Sequence, residues 1–331
     1  MIAGIRYTLA FRPNERPSLL TMMDGKKRRA KVDQDLLFAT VDVFTDRPFG
    51  GNPLAVYPYA EELTGAQMQQ IAREMNYSET TFVLPPDDPQ HTAKVRIFTP
   101  HAELPFAGHP NVGTAWVLAL HPEWVPGQVQ DGQMCFEQQA GVVDVEIQYH
   151  SSQQPSVCWI TAPKPFERLH TVPRQVLASC VGIEVALICD DGCAASVGIP
   201  FAFAEVSGRD VLTRCKPQLA GFESANVSHG YPAEGFSLMV YCQEGAGVLH
   251  ARMFGPLIGI TEDPATGSAA AALAALLAGS ESKDFVLNQG ADMGRPSVLQ
   301  LRVQQRDGMS PRVQVGGRCV PMINGALRLH H

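Results

Sequence analysis

VRIFTPHAELPFAGHPNVGTAWVLAL, at residues 95–120, and ARMFGPLIGITEDPATGSAAAALAALLA, at residues 251–278, follow one pattern. Each stretch begins with an Arg-x-Phe-x-Pro strand, continues through a turn that carries acidic residues, and reaches a Gly that opens a helix of small residues. Gly108 in the first stretch corresponds to Gly267 in the second. The duplication predicts an α+β protein with internal pseudo-symmetry, in which each strand-rich half has one long helix after a Gly turn.

The start of each repeated helix is a candidate binding feature. The first N–H groups of a helix have no partner within the helix, and the helix dipole places positive charge at the same end, so a helix start attracts anions. Two related helix starts that face each other across a cleft can hold one small carboxylate between them. The alternative is that both are ordinary strand-turn-helix units with plain caps.

The composition is that of a compact globular protein. Charged residues make up 18% of the 331 residues and apolar residues 45%, and this length allows two domains with cores of their own. The net charge of −7 argues against nucleic acid as a partner, because phosphate binding needs clustered Lys and Arg. The basic run from Lys26 to Lys31 is interpreted as part of a solvated N-terminal extension over residues 1–35.

We expect a cytoplasmic protein that does not enter a membrane. Arg6, Arg12 and Pro13 interrupt the early apolar residues, which is not typical of a secretory signal. The longest apolar run, Ala269 to Ala278, is too short to cross a bilayer. The eight cysteines have no C-x-x-C spacing, which favours reduced, mostly buried thiols over a zinc site or a disulfide framework.

The segment SSQQPS at residues 151–156 marks the predicted boundary between the halves, because Pro and Ser are typical of linkers. The first half then covers residues 36–150 and is completed by a C-terminal strand within residues 313–329. The second half covers residues 151–312.

Glu79 is the candidate acid or base. It follows a helix predicted over residues 66–76, with Thr64 as its N-cap, and it stands just before the β-rich segment Thr80–Leu84. A glutamate at such a junction is usually solvated. A water-poor pocket would instead raise its pKa towards neutrality and allow it to give and take a proton.

His109 and Asp263 are further candidates beside the repeated helix starts. His109 directly follows Gly108, where the helix dipole favours a neutral imidazole, and it occupies the place of Ser268 in the other repeat. The neutral ring can donate or accept a hydrogen bond. A lone histidine at such a position is often a simple cap, and Asp263 is equally well placed merely to cap the second helix.

Other reaction classes fit the sequence less well. His101-Ala102-Glu103 has the H-x-E spacing of zinc deaminases, but the chain has no downstream P-C-x-x-C. Thr266-Gly267-Ser268 lacks the G-x-S-x-G elbow of nucleophilic hydrolases. The sequence contains neither a Walker loop nor a G-x-G-x-x-G fingerprint, so nucleotide cofactors are not indicated.

Five segments resemble the signature segments of the phenazine-biosynthesis isomerase (PhzF-like) family, in the same order: VDVFTDRPFGGNPLAV, MNYSETTFV, FTPHAELPFAGHP, RMFGPLIGITEDPATGSA and QGADMGRPS. The likeness extends from Leu36 to Leu329 and is weaker between residues 121 and 240. The resemblance implies the diaminopimelate-epimerase-like fold. In this fold two similar halves each wrap a strongly curved sheet around a central helix, and the site lies between them.

The resemblance also implies catalysis without metal, flavin or pyridoxal phosphate. The characterised family activity isomerises trans-2,3-dihydro-3-hydroxyanthranilate by moving a proton along the ring. By the family's motifs, proton transfer falls on Glu79, and substrate positioning and polarisation fall on His109 and Asp263. The substrate carboxylate is then expected at the backbone N–H groups around Gly108, His109, Gly267 and Ser268.

The leading hypothesis is a cofactor-independent isomerase that moves a proton within a small cyclic or unsaturated carboxylic acid. Racemases of the same fold use two opposed cysteines, whereas Ala107-Gly108-His109 and Ala265-Thr266-Gly267-Ser268 supply no thiol. A non-catalytic protein that binds small carboxylates is the competing class, because a fold does not fix a function. The family resemblance further suggests a homodimer.

Overall fold

The computed structural model describes residues 34–152, 154–231 and 235–329. Residues 1–33, which hold most of the predicted N-terminal extension and its basic run, lie outside the described residues.

The first part of the described chain is rich in strands. Its elements are Gln34–Val43 (β1), Asn52–Tyr57 (β2), Gly65–Met75 (α1), Glu79–Leu84 (β3), Ala93–Phe98 (β4), Glu103–Leu104 (β5), Gly108–Leu120 (α2), Gln133–Gln138 (β6), Gly141–Tyr149 (β7), Pro155–Thr161 (β8) and Glu167–Val172 (β9). A short 3₁₀ helix covers Pro122–Trp124.

The second part repeats this alternation. Its elements are Arg174–Val181 (α3), Gly192–Ser196 (β10), Pro200–Glu205 (β11), Arg209–Arg214 (α4), Leu219–His229 (α5), Leu238–Gln243 (β12), Val248–Gly255 (β13), Ile260–Asp263 (β14), Gly267–Ala278 (α6), Lys283–Gln289 (β15), Ser297–Arg306 (β16), Met309–Gly317 (β17) and Cys319–Leu329 (β18). Short 3₁₀ helices cover Val185–Leu187, Pro256–Ile258 and Ala291–Met293.

The strand pairing repeats with the sequence. One series runs β18, β1, β2, β3, β4, β6, β7, β8, and the other runs β9, β10, β11, β12, β13, β15, β16, β17. Parallel pairs occur at equivalent places, β2 with β3 and β4 with β6 in one series, β11 with β12 and β13 with β15 in the other. The predicted α+β class and internal pseudo-symmetry are therefore confirmed.

In each series the last strand is followed in the chain by a strand that pairs at the edge of the other series. The C-terminal strand β18 pairs with β1, and β9, which follows β8 in the chain, pairs with β10. A pairing of β8 with β17 joins the two series. Of the predicted boundary, residues 151 and 152 follow β7 and residues 155 and 156 begin β8, and those two strands pair with each other. The division of the chain into halves stays a prediction.

The two helices that follow the Gly turns form the centre of the molecule. Residues Gly108–Leu118 of α2 are buried, and so are nine consecutive residues of α6 from Gly267 to Ala275. A helix that is apolar on all sides is stable only when it is surrounded, and each of these helices packs against strands of its own series. One continuous apolar cluster contains side chains of both helices.

Helix α1 differs from the two central helices because it is amphipathic. Met68, Ile71 and Ala72 face the core, and Thr64 caps α1 in a reciprocal capping box with Gln67, as the sequence predicts. Across residues 34–152, 154–231 and 235–329, no helix has the length and apolar character needed to span a membrane.

The repeated Arg of each stretch has the same partner. Arg96 donates from Nε and Nη2 to the two carboxylate oxygens of Glu103, at 2.7 Å each. Arg252 donates in the same way to Glu262, at 2.8 Å each. Each guanidinium also lies over the ring of the Phe two residues further along, with centroid distances of 5.1 and 5.0 Å. These bidentate pairs hold the turn that leads into each central helix.

The N-terminal ends of α2 and α6 touch. A Cβ atom placed on Gly108 would lie 3.0 Å from Cα of Gly267 and 3.2 Å from the backbone nitrogen of Ser268. A Cβ atom on Gly267 would lie 3.2 Å from Cα of Gly108. Both positions therefore require glycine because backbone meets backbone.

We expect Gly108→Ala to lower the free energy of unfolding by about 1 to 3 kcal/mol, because the added methyl group presses on backbone that cannot move aside. Gly65→Ala is the matched control. It also opens a helix, but its Cβ would lie 3.1 Å from Nη2 of Arg96, the far end of a long side chain rather than backbone. Alanine should therefore cost less there than at Gly108. Urea denaturation of both variants measures the difference, and equal stabilities would contradict the backbone contact.

Candidate active site

Glu79 is buried although it begins a strand. It is the first residue of β3 and pairs with Leu54 of β2, in the interior of the first series. Only 8% of its surface is exposed. A solvated position, the usual place for a glutamate at such a junction, is therefore wrong for this residue. The tertiary structure supplies the water-poor surroundings that proton transfer by a carboxyl group requires.

His109 lies opposite Glu79 on the second residue of α2. Its Nε2 atom is 3.3 Å from Oε2 of Glu79, and the ring is 4% exposed. Neither of these two atoms makes a well-aligned hydrogen bond within the described residues, although both are buried. Buried polar atoms without an aligned hydrogen bond are rare in native proteins, so this adjacent pair is a candidate point of contact for a ligand.

Asp263 accepts hydrogen bonds from residues of both series. Its Oδ1 atom accepts a hydrogen bond of 2.9 Å from Nδ2 of Asn52, and its Oδ2 atom accepts one of 2.5 Å from Oγ1 of Thr266. Gln289 donates to the backbone carbonyl of Asp263 at 2.8 Å and to Oγ1 of Thr266 at 3.1 Å. The aspartate therefore does more than cap a helix, because its bonds join β2 to the turn before α6.

The two helix starts are open to an anion. Neither Ala107, the N-cap of α2, nor Thr266, the N-cap of α6, makes a side-chain capping hydrogen bond. The contact between Gly108 and Gly267 brings these two ends together beside the Glu79 and His109 side chains. Both dipoles therefore place positive potential at one point, and backbone N–H groups of both helices are close enough to share one carboxylate.

Burial changes the acidity of both carboxyl groups. It raises the pKa of Glu79 well above 4.5, and the nearby charge of Asp263 raises it further. Burial also raises the pKa of Asp263 to about 6, although the hydrogen bonds from Thr266 and Asn52 oppose the change. Since Oε2 of Glu79 has no such donor among the described residues, Asp263 ionises first and Glu79 keeps its proton to higher pH.

His109 is neutral in the folded protein. Burial lowers its pKa from 6.5 to about 3, in the direction that the helix dipole also favours. The ring consequently carries one N–H and one lone pair at neutral pH, so it can donate one hydrogen bond and accept another.

The structure brings the predicted residues together. Glu79, His109, Asp263 and the starts of both helices lie in one buried cluster. Glu103, the glutamate of the zinc-deaminase alternative, is not part of this cluster's hydrogen bonding, because both of its carboxylate oxygens accept hydrogen bonds from Arg96.

Sequence reasoning missed three polar residues of this cluster. Asn52, Thr266 and Gln289 are buried and bond to Asp263 or to its neighbours. A signal was present, because all three lie in the segments that carry the family resemblance and none belongs to an apolar pattern that would explain its burial.

Comparison with known proteins gives the family. Residues 41–325 match the family model described as phenazine biosynthesis-like protein. The trans-2,3-dihydro-3-hydroxyanthranilate isomerase of Pseudomonas chlororaphis is 34% identical over 298 residues, which cover 88% of this chain and 99% of that protein. The chain therefore belongs to the phenazine biosynthesis-like (PhzF) family, and it is an isomerase of that family.

Solved structures agree on the fold. A PhzF family phenazine biosynthesis protein from Bacillus anthracis matches with a TM-score of 0.76 at 22% identity, over 89% of this chain and 100% of that one. A hydroxyproline epimerase from Agrobacterium vitis matches with a TM-score of 0.58 at 13% identity, over 89% of this chain and 93% of that one. The predicted diaminopimelate-epimerase-like fold is confirmed.

We expect the Glu79 carboxyl to titrate well above pH 4.5, and we expect Asp263→Asn to lower its pKa, because a neutral amide no longer opposes ionisation of Glu79. Carbon-13 NMR of labelled glutamate side chains measures both values.

Glu137 provides the internal reference for this titration. Burial raises its pKa, but hydrogen bonds from the backbone N–H groups of Asp88 and Asp87 outweigh that effect and hold it below 4.5. A Glu79 signal that titrates together with Glu137 would show that Glu79 is solvated.

Proposed function

We propose that this isomerase moves a proton between two carbons of a small cyclic or unsaturated carboxylic acid, with Glu79 as the acid and base. The observation that carries the proposal is the pair of buried, unsatisfied atoms, Oε2 of Glu79 and Nε2 of His109, beside two converging helix starts. The family resemblance supports the same role for Glu79.

The reaction needs no atom from outside the substrate. The Glu79 carboxylate takes a proton from one carbon, and the electron pair of the broken C–H bond moves along the conjugated system towards a second carbon. The protonated Glu79 then returns the proton to that second carbon. One group performs both steps because it lies on one face of the substrate, and its raised pKa makes both the removal and the return accessible near neutral pH.

The surrounding groups hold the substrate and its developing charge. The backbone N–H groups of Gly108, His109, Gly267 and Ser268 bind the substrate carboxylate. Neutral His109 donates a hydrogen bond to the substrate from a site that excludes water, where such donors are most effective. Asp263 positions a polar substituent of the substrate. No metal, flavin or pyridoxal phosphate takes part in this scheme.

The relative in Pseudomonas chlororaphis suggests the substrate class. Its name gives trans-2,3-dihydro-3-hydroxyanthranilate as the acid that it isomerises. We therefore propose amino- or hydroxy-substituted cyclohexadiene carboxylates as substrates of this chain, with that compound as the first to test.

We expect Glu79→Gln to lower the rate of isomerisation by about 10² to 10⁴, because an amide cannot accept and return the proton. The measurement is conversion of trans-2,3-dihydro-3-hydroxyanthranilate, followed by chromatography and mass spectrometry in water and in heavy water. Glu74→Gln is the matched control, since Glu74 is an exposed residue of α1.

The outcomes separate the competing explanations. Conversion that persists unchanged in Glu79→Gln removes Glu79 from its role. A wild-type protein that binds cyclohexadiene carboxylates, but neither converts them nor exchanges their hydrogen for deuterium, is a carboxylate-binding protein of this fold.

We also propose a cytoplasmic homodimer with halves at residues 36–150, completed by 313–329, and 151–312. The eight cysteines are free, which suits a reducing compartment, and the homodimer rests on the family resemblance. Sedimentation equilibrium should give twice the mass of one chain.

A further inference from the structure

Asn52 is a buried polar residue that connects the parts of the site. It is the first residue of β2 and is fully buried. The backbone reaches it through Gly51, whose φ of +60° lies in the left-handed region and whose Cβ, if present, would lie 2.2 Å from the carbonyl oxygen of Val43. The Gly-Gly turn therefore serves to deliver the Asn52 side chain into the centre of the molecule.

The Asn52 amide contacts several groups around the site. Its Nδ2 atom is 2.9 Å from Oδ1 of Asp263, 3.2 Å from the carbonyl oxygen of Ala265 and 3.4 Å from Nδ1 of His109. Its Oδ1 atom accepts a hydrogen bond of 2.8 Å from Oγ of Ser78, the residue before Glu79.

These contacts fix which way the amide points. The carbonyl oxygen of Ala265 can only accept, so the atom facing it is the NH₂ group of Asn52. The same NH₂ group faces Nδ1 of His109, and it has no lone pair to offer an N–H. The NH₂ group has two hydrogens for three acceptors, so one goes to Asp263 and the other is shared between the carbonyl oxygen of Ala265 and Nδ1 of His109. In this contact Nδ1 is the acceptor, because an N–H there would face the NH₂ group.

The neutral His109 ring has one proton for its two nitrogen atoms. If Nδ1 accepts from Asn52, the proton lies on Nε2, the atom that points at Oε2 of Glu79 at 3.3 Å. With the opposite tautomer, two N–H groups would face each other at Nδ1.

We propose that Asn52 is a positioning residue that selects the Nε2–H tautomer of His109 while it holds the Asp263 carboxylate. The catalytic part of this inference rests on the proposed function, but the tautomer does not. The Asn52 side chain therefore fixes both the tautomer of His109 and the position of the Asp263 carboxylate.

The rest of the structure keeps the Asn52 turn rigid. Arg295, from the segment between β15 and β16, donates to the carbonyl oxygens of Gly51 and Gly50 at 2.8 Å each. It also bonds to Oδ1 of the buried Asp42 at 2.6 Å. A side chain from the second series therefore clamps the turn that carries Asn52, as a positioning role requires.

The test is nitrogen-15 NMR of histidine-labelled protein at pH 8, with the His109 signals identified by their loss in His109→Gln. Wild type should show a protonated Nε2 and a bare Nδ1. In Asn52→Asp the oxygen that replaces the NH₂ group has at most one proton, which the closer Asp263 takes. It can then only accept from His109, so the tautomer should reverse.

Asn288→Asp is the matched control because Asn288 is partly buried and bonds to the carbonyl oxygen of Leu249, away from the site. It should keep the wild-type pattern. A protonated Nδ1 in wild type, or an unchanged pattern in Asn52→Asp, overturns the proposal. The wild-type spectrum alone can do so if the Asn52→Asp protein fails to fold.

Turnover tests the catalytic part separately. We expect Asn52→Asp to lower kcat by about 10²-fold or more, the scale on which a wrong histidine tautomer acts, with a much smaller change in KM. A reversed tautomer with undiminished kcat overturns the positioning role. A wild type that converts none of the acids tested counts against the proposed function, while the NMR result still decides the tautomer.

Discussion

The structure depends on the contact between two helix starts. Gly108 and Gly267 bring backbone against backbone, where a single added carbon would lie 3.0 to 3.2 Å from the opposite Cα atom. Two N-terminal dipoles of the same sign repel each other, and a shared anion removes that repulsion. The curved sheets and buried helices around them hold this arrangement in place before any ligand arrives, which is the condition for electrostatic preorganisation.

The groups beside that contact illustrate a cost of function. Burial disfavours the charged forms of Glu79, His109 and Asp263, so the protein keeps them in its interior at the expense of stability. Asp263 is compensated by donors from Asn52 and Thr266. Oε2 of Glu79 and Nε2 of His109 are left without aligned partners among the described residues, and these two atoms are the ones a substrate can use.

Hydrogen bonds across the repeat make the site a property of the whole chain. Asn52 reaches from β2 to Asp263 and Ala265, and Arg295 reaches from the second series to the turn at Gly50 and Gly51. Two edge strands also cross between the series: β18, which follows β17, pairs with β1, and β9, which follows β8, pairs with β10. Neither series completes the site alone, so relative movement of the two would disturb the acid, the histidine and the anion position together.

The sequence by itself determined the repeated strand-turn-helix unit, the long helix after each Gly turn and the candidates Glu79, His109 and Asp263, because periodicity, glycine placement and motif spacing are local. Only the tertiary structure decided that Glu79 is buried and faces His109, and that Asn52, Thr266 and Gln289 surround Asp263. These contacts join residues up to 211 positions apart. Pairing of that range and the loss of water around a carboxyl group arise from packing, which no local pattern encodes.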